Sequence, residues 1–279
     1  MENIGKKTKY EIYIMIADGY SENNKNKFKK LIKKYGNEKL KITFLDMKDK
    51  YVPITSHSYI SKATYYRVYL PYLLPDVEKL IYLDVDIINL HDLSEFYNMK
   101  LEKDIYLYAM VDNSDHRKEL LEFGVKSDKY INGGTLLMDL KNIREKGFDE
   151  KLKKFMEIYG KNLTHHDQTA MNAVYYKNMG ILPFKYVIFN FKTFEDLVKF
   201  NDKQEEPYRR SMDELKEAYN NPFLVHFAGC EKPWQRKKLT FREYWWYYAK
   251  KSVFYKEILK FYKFSKSEIN WLLRGFNKK

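Results

Sequence analysis

The chain has a single cysteine, Cys230, in 279 residues. That excludes an intramolecular disulfide framework and any all-cysteine metal site, and it suits a reducing compartment. No run reaches about 18 consecutive apolar residues, so no membrane-spanning helix is expected. The charged start MENIGKKTKYE has no signal-peptide core behind it. Neither an internal repeat nor a long linker divides the chain. These absences lead to the expectation of a soluble cytoplasmic protein, with any membrane contact peripheral and on the inner face.

What is present suffices for a sizeable core, since 44% of the residues are hydrophobic. The net charge of +13 is unevenly placed: residues 236–279 carry 13 Lys plus Arg against 3 Glu, a net of +10. The same segment holds 13 aromatics, including YWWYY at Tyr244 to Tyr248 and Trp271 further on. A basic, aromatic tail suits an anionic membrane surface, with Lys at headgroups and rings at the interface. It equally suits a pair of helices packed on the main domain, with the rings as core. Nucleic acid, which would stack bases on such rings, is not the expected partner.

Ahead of the tail, strand and helix patterns alternate, which predicts an α/β domain. Strands are expected at Tyr10 to Ala17, Lys41 to Met47, Ile105 to Asp112, Gly133 to Leu140 and Phe223 to Gly229. Helical spacing appears around Phe28 to Tyr35, Ala63 to Leu74, Phe148 to Tyr159 and Asp167 to Tyr176. Pro71 should bend or end the second of these, a loop passes through Pro53 and His57, and the charged stretch from Lys199 to Arg210 reads as an excursion or lid.

The most informative stretch is KLIYLDVDIINL, from Lys79 to Leu90, where an apolar run meets Asp84 and Asp86. Buried carboxylates are costly unless paired, hydrogen-bonded or bound to metal. On a strand, residues two apart share a face, so both carboxylates could reach one cation with Val85 turned into the core. Oxygen ligands without thiolate favour Mg²⁺ or Mn²⁺, and His226, isolated within LVHFAG, would tip the choice toward Mn²⁺. Taken singly, an Asp-x-Asp is as readily a turn cap, and His226 as readily a satisfied core histidine.

The ordered set YLDVDIINLHDL, YINGGTLLMDL, HHDQTAMN and VHFAGCEKPW, preceded by ISKATYYRVYLPYLLP, resembles glycosyltransferase family 8. That family of retaining enzymes includes glycogenin and bacterial lipopolysaccharide galactosyl- and glucosyltransferases. The likeness runs from about Tyr10 to Trp234. It implies a single GT-A-like domain over residues 1–235 with a mixed central sheet, followed by a C-terminal helical basic-aromatic extension over 236–279.

The resemblance also implies roles. Asp84, Asp86 and His226 would hold Mn²⁺, or Mg²⁺, on the diphosphate of UDP-glucose or UDP-galactose. Arg67 would approach the diphosphate or donor sugar. Asp112, Asn132 and Gly133 would contact that sugar, and Asp167 and Gln168 would lie beneath its reacting carbon. Gly229 and Lys232 would belong to a loop closing over the phosphates. The implied reaction transfers a hexose with retention to a glycan or glycolipid acceptor such as lipopolysaccharide or another surface glycan. Gln168 is a poor nucleophile, so front-face attack is the more natural scheme, with Asp167 or Asp112 as covalent nucleophile the alternative.

One departure stands out. IADGY, from Ile16 to Tyr20, tempts a match to the family's uridine-binding motif through Asp18 and Tyr20. The strand and helix patterns from Tyr10 to Asp46 instead resemble the family's later strand, helix and strand, so the usual leading nucleotide-binding unit is expected to be absent. A weakly active or inactive transferase-like protein, binding glycan or membrane, is the competing expectation.

Overall fold

The computed structural model describes residues 2–17, 19–35, 37–50, 62–112, 116–235 and 239–262. Asp18, Pro53, His57 and Trp271 lie outside the described residues. The strands are β1 (Tyr10–Ile16), β2 (Leu40–Asp46), β3 (Lys79–Leu83), β4 (Ile87–Asn89), β5 (Leu107–Val111), β6 (Ile131–Asp139), β7 (Met179–Ile181), β8 (Ile188–Phe189) and β9 (Leu224–His226). The helices are α1 (Glu22–Tyr35), α2 (Leu70–Leu73), α3 (Ser94–Tyr97), α4 (Arg117–Leu121), α5 (Leu140–Glu145), α6 (Phe148–Tyr159), α7 (His166–Tyr175), α8 (Phe194–Asp202), α9 (Met212–Asn220), α10 (Arg242–Lys251) and α11 (Tyr255–Tyr262).

The stretch before α2 expected as α-helix is a 3-10 helix over Lys62–Tyr69. Pro71 sits in the first turn of α2, where its missing N–H removes no helical bond.

The mixed α/β architecture is present, but among the described residues its strands fall into three hydrogen-bonded groups. β1 and β2 pair in parallel through the α1 crossover. A four-stranded sheet runs β3-β6-β5-β7, with β6 antiparallel to both neighbours and β7 parallel to β5. The third group runs β4-β9-β8. Along β6 the side chains alternate between two cores. Leu136 and Met138 join Met156, Met171 and Tyr175, whereas Leu137 joins Phe189, Leu224 and Phe227. Burial on both faces explains why β6 reads as a nearly continuous apolar run rather than an alternating one.

The aromatic segment after residue 238 packs on this body through part of its rings, whereas Tyr247 and Phe261 are exposed. Trp246 is buried and donates its indole N–H to the Pro233 carbonyl at 2.9 Å, which also accepts from Arg242 Nε at 2.7 Å. Phe254, just before α11, meets Phe28 of α1 at 5.5 Å between centroids, and Glu257 accepts from Lys27 at 2.6 Å. Buried rings are unavailable to a lipid interface, so Trp246 does not serve the membrane reading. Among the described residues no helix is long and apolar enough to cross a membrane.

Asp92 fastens the N-terminal segment. Its carboxylate accepts from Gly5 N at 2.7 Å, Thr8 Oγ1 at 2.6 Å and Tyr10 Oη at 2.7 Å, and from Ser94 N at 3.0 Å. Burial raises its pKa, but the Thr8 and Tyr10 hydroxyls outweigh this and hold it well below the usual carboxylate range. A depressed folded-state value means stabilisation that is complete above pH ~5 and is lost as pH falls through the ordinary carboxylate range and below. Asp92→Ala is expected to cost about 2 kcal/mol at neutral pH and less in acid. Urea midpoints at pH 7 and pH 3 check this; an equal cost at both would contradict it.

Candidate active site

Pairing registers assemble the acidic cluster. Leu83 on β3 pairs with Thr135 on β6, and Asp84 N then donates to Gly134 O at 2.8 Å, which sets Asp84 against the glycines. Ile87 on β4 pairs with His226 on β9, and Phe227 N donates to Asp86 O at 3.0 Å, which sets Asp86 against the imidazole. The two aspartates therefore do not share one strand face. They flank a turn between β3 and β4, and Val85 at its tip is 97% exposed, not turned into the core. Period-two alternation ends where the strand ends, yet the turn still brings both carboxylates together.

Ligand atoms of Asp84, Asp86 and His226 all lie within 4.8 Å of one another. Asp86 and His226 are buried, and His226 Nε2 stands 3.3 Å from Asp86 Oδ1. Asp86 Oδ1 has no hydrogen-bond partner despite its burial, a cost that a bound cation would remove. Two carboxylates and an imidazole fit a hard or borderline divalent ion. Gly134 makes the room: a Cβ there would stand 2.2 Å from His226 Cε1 and 2.9 Å from Asp84 Oδ2. The sequence pattern singles out Gly133 and not Gly134, because close approach leaves no mark in a residue pattern.

Lys232 Nζ bonds to Asp86 Oδ2 and also donates to the Phe227 carbonyl at 2.8 Å. Burial, the strongest influence, pushes the Asp86 carboxyl up, but His226 and Lys232 together overcome it and hold it at about 2. Gly229, in the same loop, has φ of 84°, the left-handed region that glycine enters without penalty.

Arg67 ties this cluster to the remaining candidates. It is buried, and its Nε lies 2.5 Å from Oδ2 of the buried Asp167. Nη1 donates to Gly133 O at 2.5 Å and reaches Asp84 Oδ1 at 3.3 Å, and Nη2 donates to Thr64 Oγ1 at 3.1 Å. Tyr82, also missed from sequence, donates to Asp84 Oδ1 at 2.6 Å. Burial raises the Tyr82 pKa, which keeps the phenol a donor.

Gln168 is held at both ends of its amide: Oε1 accepts from Gly133 N at 2.9 Å and Nε2 donates to Asp112 Oδ2 at 3.2 Å. Asn132 bonds the same Asp112 oxygen at 2.9 Å and accepts from Gly134 N, also at 2.9 Å. Ten of the eleven sequence-named residues thus lie in one connected cluster, and Gly229 is in the loop that supplies Lys232. Tyr20 stands against Phe44 of β2, 6.3 Å between ring centroids.

The chain is similar to known proteins over most of its length. General stress protein A of Bacillus subtilis is 28% identical over 260 residues, covering 89% of this chain and 85% of that protein. Lipopolysaccharide 1,2-glucosyltransferase of Escherichia coli is 25% identical over 231 residues, covering 80% of this chain and 64% of that protein. Among solved structures, an active-site mutant of LgtC superposes with a TM-score of 0.63 at 19% identity, covering 88% of this chain and 96% of that one. The bifunctional glycosyltransferase WbbM in its apo form gives 0.69 at 18%, covering 91% of this chain and 52% of that one. These structural likenesses establish the shared GT-A-like fold. The family model for glycosyl transferase family 8 matches residues 2–238, and the chain belongs to that family.

Proposed function

We propose that this chain transfers a hexose, glucose or galactose, from its UDP-sugar to a glycan acceptor with retention at the anomeric carbon. The lipopolysaccharide glucosyltransferase among its relatives favours a surface glycan such as lipopolysaccharide as acceptor. Residues 1–235 are read as the catalytic body, with the segment from 236 onward as its helical extension. The observation that carries the proposal is the joining of the metal-ligand set Asp84, Asp86 and His226 to the sugar-side residues through Arg67 and the Gly133–Gly134 backbone.

Asp84, Asp86 and His226 would hold Mn²⁺ or Mg²⁺, which supplies positive charge to a departing diphosphate. Lys232 on Asp86 places a second cation at the same point. Asp167 is 1% exposed and locked to Arg67, which disfavours it as a covalent nucleophile. Gln168 has both amide ends engaged, so its part is to fix the position of Asp112 and of the Gly133 amide. Front-face attack then leaves Asp112 beside the sugar to stabilise positive charge developing at its reacting carbon.

The test is a donor screen on purified protein with manganese, reading UDP release with UDP-glucose, UDP-galactose and other UDP-sugars, each with and without glycan acceptors. The expected result is release from one hexose donor, increased by acceptor. Donor binding without any release would instead favour a transferase-like binding protein.

A further inference from the structure

Asp112 has a second neighbourhood. It also lines a cavity of about 290 Å³, walled by Arg117, Asp128, Tyr130, Phe200, Lys203 and Tyr208. Its size is at the lower end for small-molecule sites. Asp112, whose carboxylate Asn132 and Gln168 share, therefore belongs both to the wall of this space and to the sugar-side cluster.

The cavity is built, not left over. The excursion after α8 folds back because buried Asn201 bonds both the Arg210 carbonyl, at 3.1 Å, and the Arg210 amide, at 2.8 Å. That staple presents a short 3-10 turn, Glu206–Tyr208, against the chain leading into β6. Tyr208 Oη donates to Asp128 Oδ2 at 2.7 Å, and Lys129 Nζ donates to Tyr208 Oη at 3.3 Å. Arg117 Nη1 closes the rim, donating to Glu205 Oε1 at 2.7 Å and to the Asp128 carbonyl at 3.1 Å.

Charge selects the ligand. On a chain of net charge +13, the lining pairs Arg117, Lys129 and Lys203 against Asp112, Asp128 and Glu205, a local balance of zero. Arg117 and Lys129 already answer groups within the wall, so the pocket offers no concentrated positive field to a phosphate or carboxylate. Its carboxylates are engaged too, Glu205 by Arg117, Asp128 by Tyr208 and Asp112 by Asn132 and Gln168, but a carboxylate accepts several hydrogen bonds. Beside them stand the Gln204 amide, the Tyr208 ring and the edges of the largely buried Tyr130 and Phe200. Hydroxyls meeting carboxylates and amides, with C–H faces packed on rings, describe an uncharged pyranose.

We infer that this cavity is an acceptor-side subsite for an uncharged sugar unit adjoining the one that receives the transferred hexose. The inference rests on the proposed transferase reading. Tyr208, which bonds Asp128 and Lys129, is its specificity-determining ring.

The experiment separates the two claims. Direct binding of maltotriose, cellotriose, lactose and the anionic 3′-sialyllactose is read by saturation-transfer NMR on the intact chain, which needs no donor. Donor hydrolysis and transfer kinetics are then measured in the original chain, Tyr208→Ala and Tyr208→Phe. At least one neutral oligosaccharide should bind in preference to sialyllactose. Tyr208→Ala should raise the KM for that acceptor roughly tenfold, with donor hydrolysis within about twofold of the original chain. Tyr208→Phe keeps the ring and should retain most of the affinity. Binding of none of the neutral glycans, preference for sialyllactose, or an unchanged acceptor KM in Tyr208→Ala would each overturn the subsite. Failure of UDP-sugar hydrolysis with neutral-glycan binding intact and lost in Tyr208→Ala would overturn the transferase reading, and with it the acceptor role, and leave only a neutral-glycan binding site.

Discussion

Arg67→Met is expected to lower the stability of the chain by about 3–5 kcal/mol, a large share of what holds a domain folded. Arg67 and Asp167 are 4% and 1% exposed, so removing the guanidinium strands a carboxylate that solvent cannot reach. The Gly133 carbonyl and Thr64 hydroxyl lose their donor as well. Burial disfavours the charged guanidinium, but Asp167, Tyr82 and Asp84 more than offset this and raise its pKa above the ordinary arginine value. Arg67→Lys keeps the charge without the planar fork that serves several acceptors at once, so it should recover only part of the loss. The double substitution Arg67→Met with Asp167→Leu should be markedly less costly than Arg67→Met alone, because no buried charge is left unpaired. Denaturant midpoints for the original chain, the two single variants and the double variant give the coupling. Additive costs for the two single changes would contradict the account.

The second large effect concerns the opposite roles assigned to Asp86 and Lys232. On the proposed metal role, Asp86→Asn removes a ligand, and turnover is expected to fall by about 100-fold or more. Lys232→Met should lower turnover by roughly 10- to 100-fold, because positive charge at the departing diphosphate is lost. Its effect on metal alone should have the other sign. Lys232 Nζ bonds to Asp86 Oδ2, so a divalent ion on the unpartnered Oδ1 meets the repulsion of an ammonium on the same carboxylate. Without nucleotide, Lys232→Met should bind Mn²⁺ more tightly than the original chain, whereas Asp86→Asn should bind it more weakly. Counting free Mn²⁺ by paramagnetic resonance during titration checks both signs. Weaker Mn²⁺ binding in Lys232→Met would show that the lysine supports the site rather than competing for it.

Much of this site was legible because ordered motifs carry residue types whose chemistry is restrictive. Asp84, Asp86 and His226 were grouped from sequence, and they stand together. Their detailed placement was not legible: Val85 looked like a core residue because alternation was extended one step beyond the strand. Gly134, Tyr82 and Thr64 were missed for another reason. A glycine that makes room and a hydroxyl that steadies a carboxylate have no signature without the third dimension.

The fold shows the same division. Helical spacing predicts α6 to its ends, but a pattern of apolar positions does not distinguish an α-helix from the 3-10 turns of Lys62–Tyr69. Composition also could not tell whether the rings after residue 238 face lipid or protein. Trp246 is buried on Pro233 because its N–H finds a carbonyl there, a contact between positions 13 apart that no local pattern announces.

The most direct test of the central claim is calorimetric titration of UDP into the chain in Mn²⁺ and again in chelator. The expected result is affinity at least about tenfold higher with Mn²⁺, a difference that disappears when Asp84 and Asp86 are both replaced by Ala while the fold is retained. Equal UDP affinity in metal and in chelator would contradict the assignment of Asp84, Asp86 and His226 as the cation site of a nucleotide-sugar transferase.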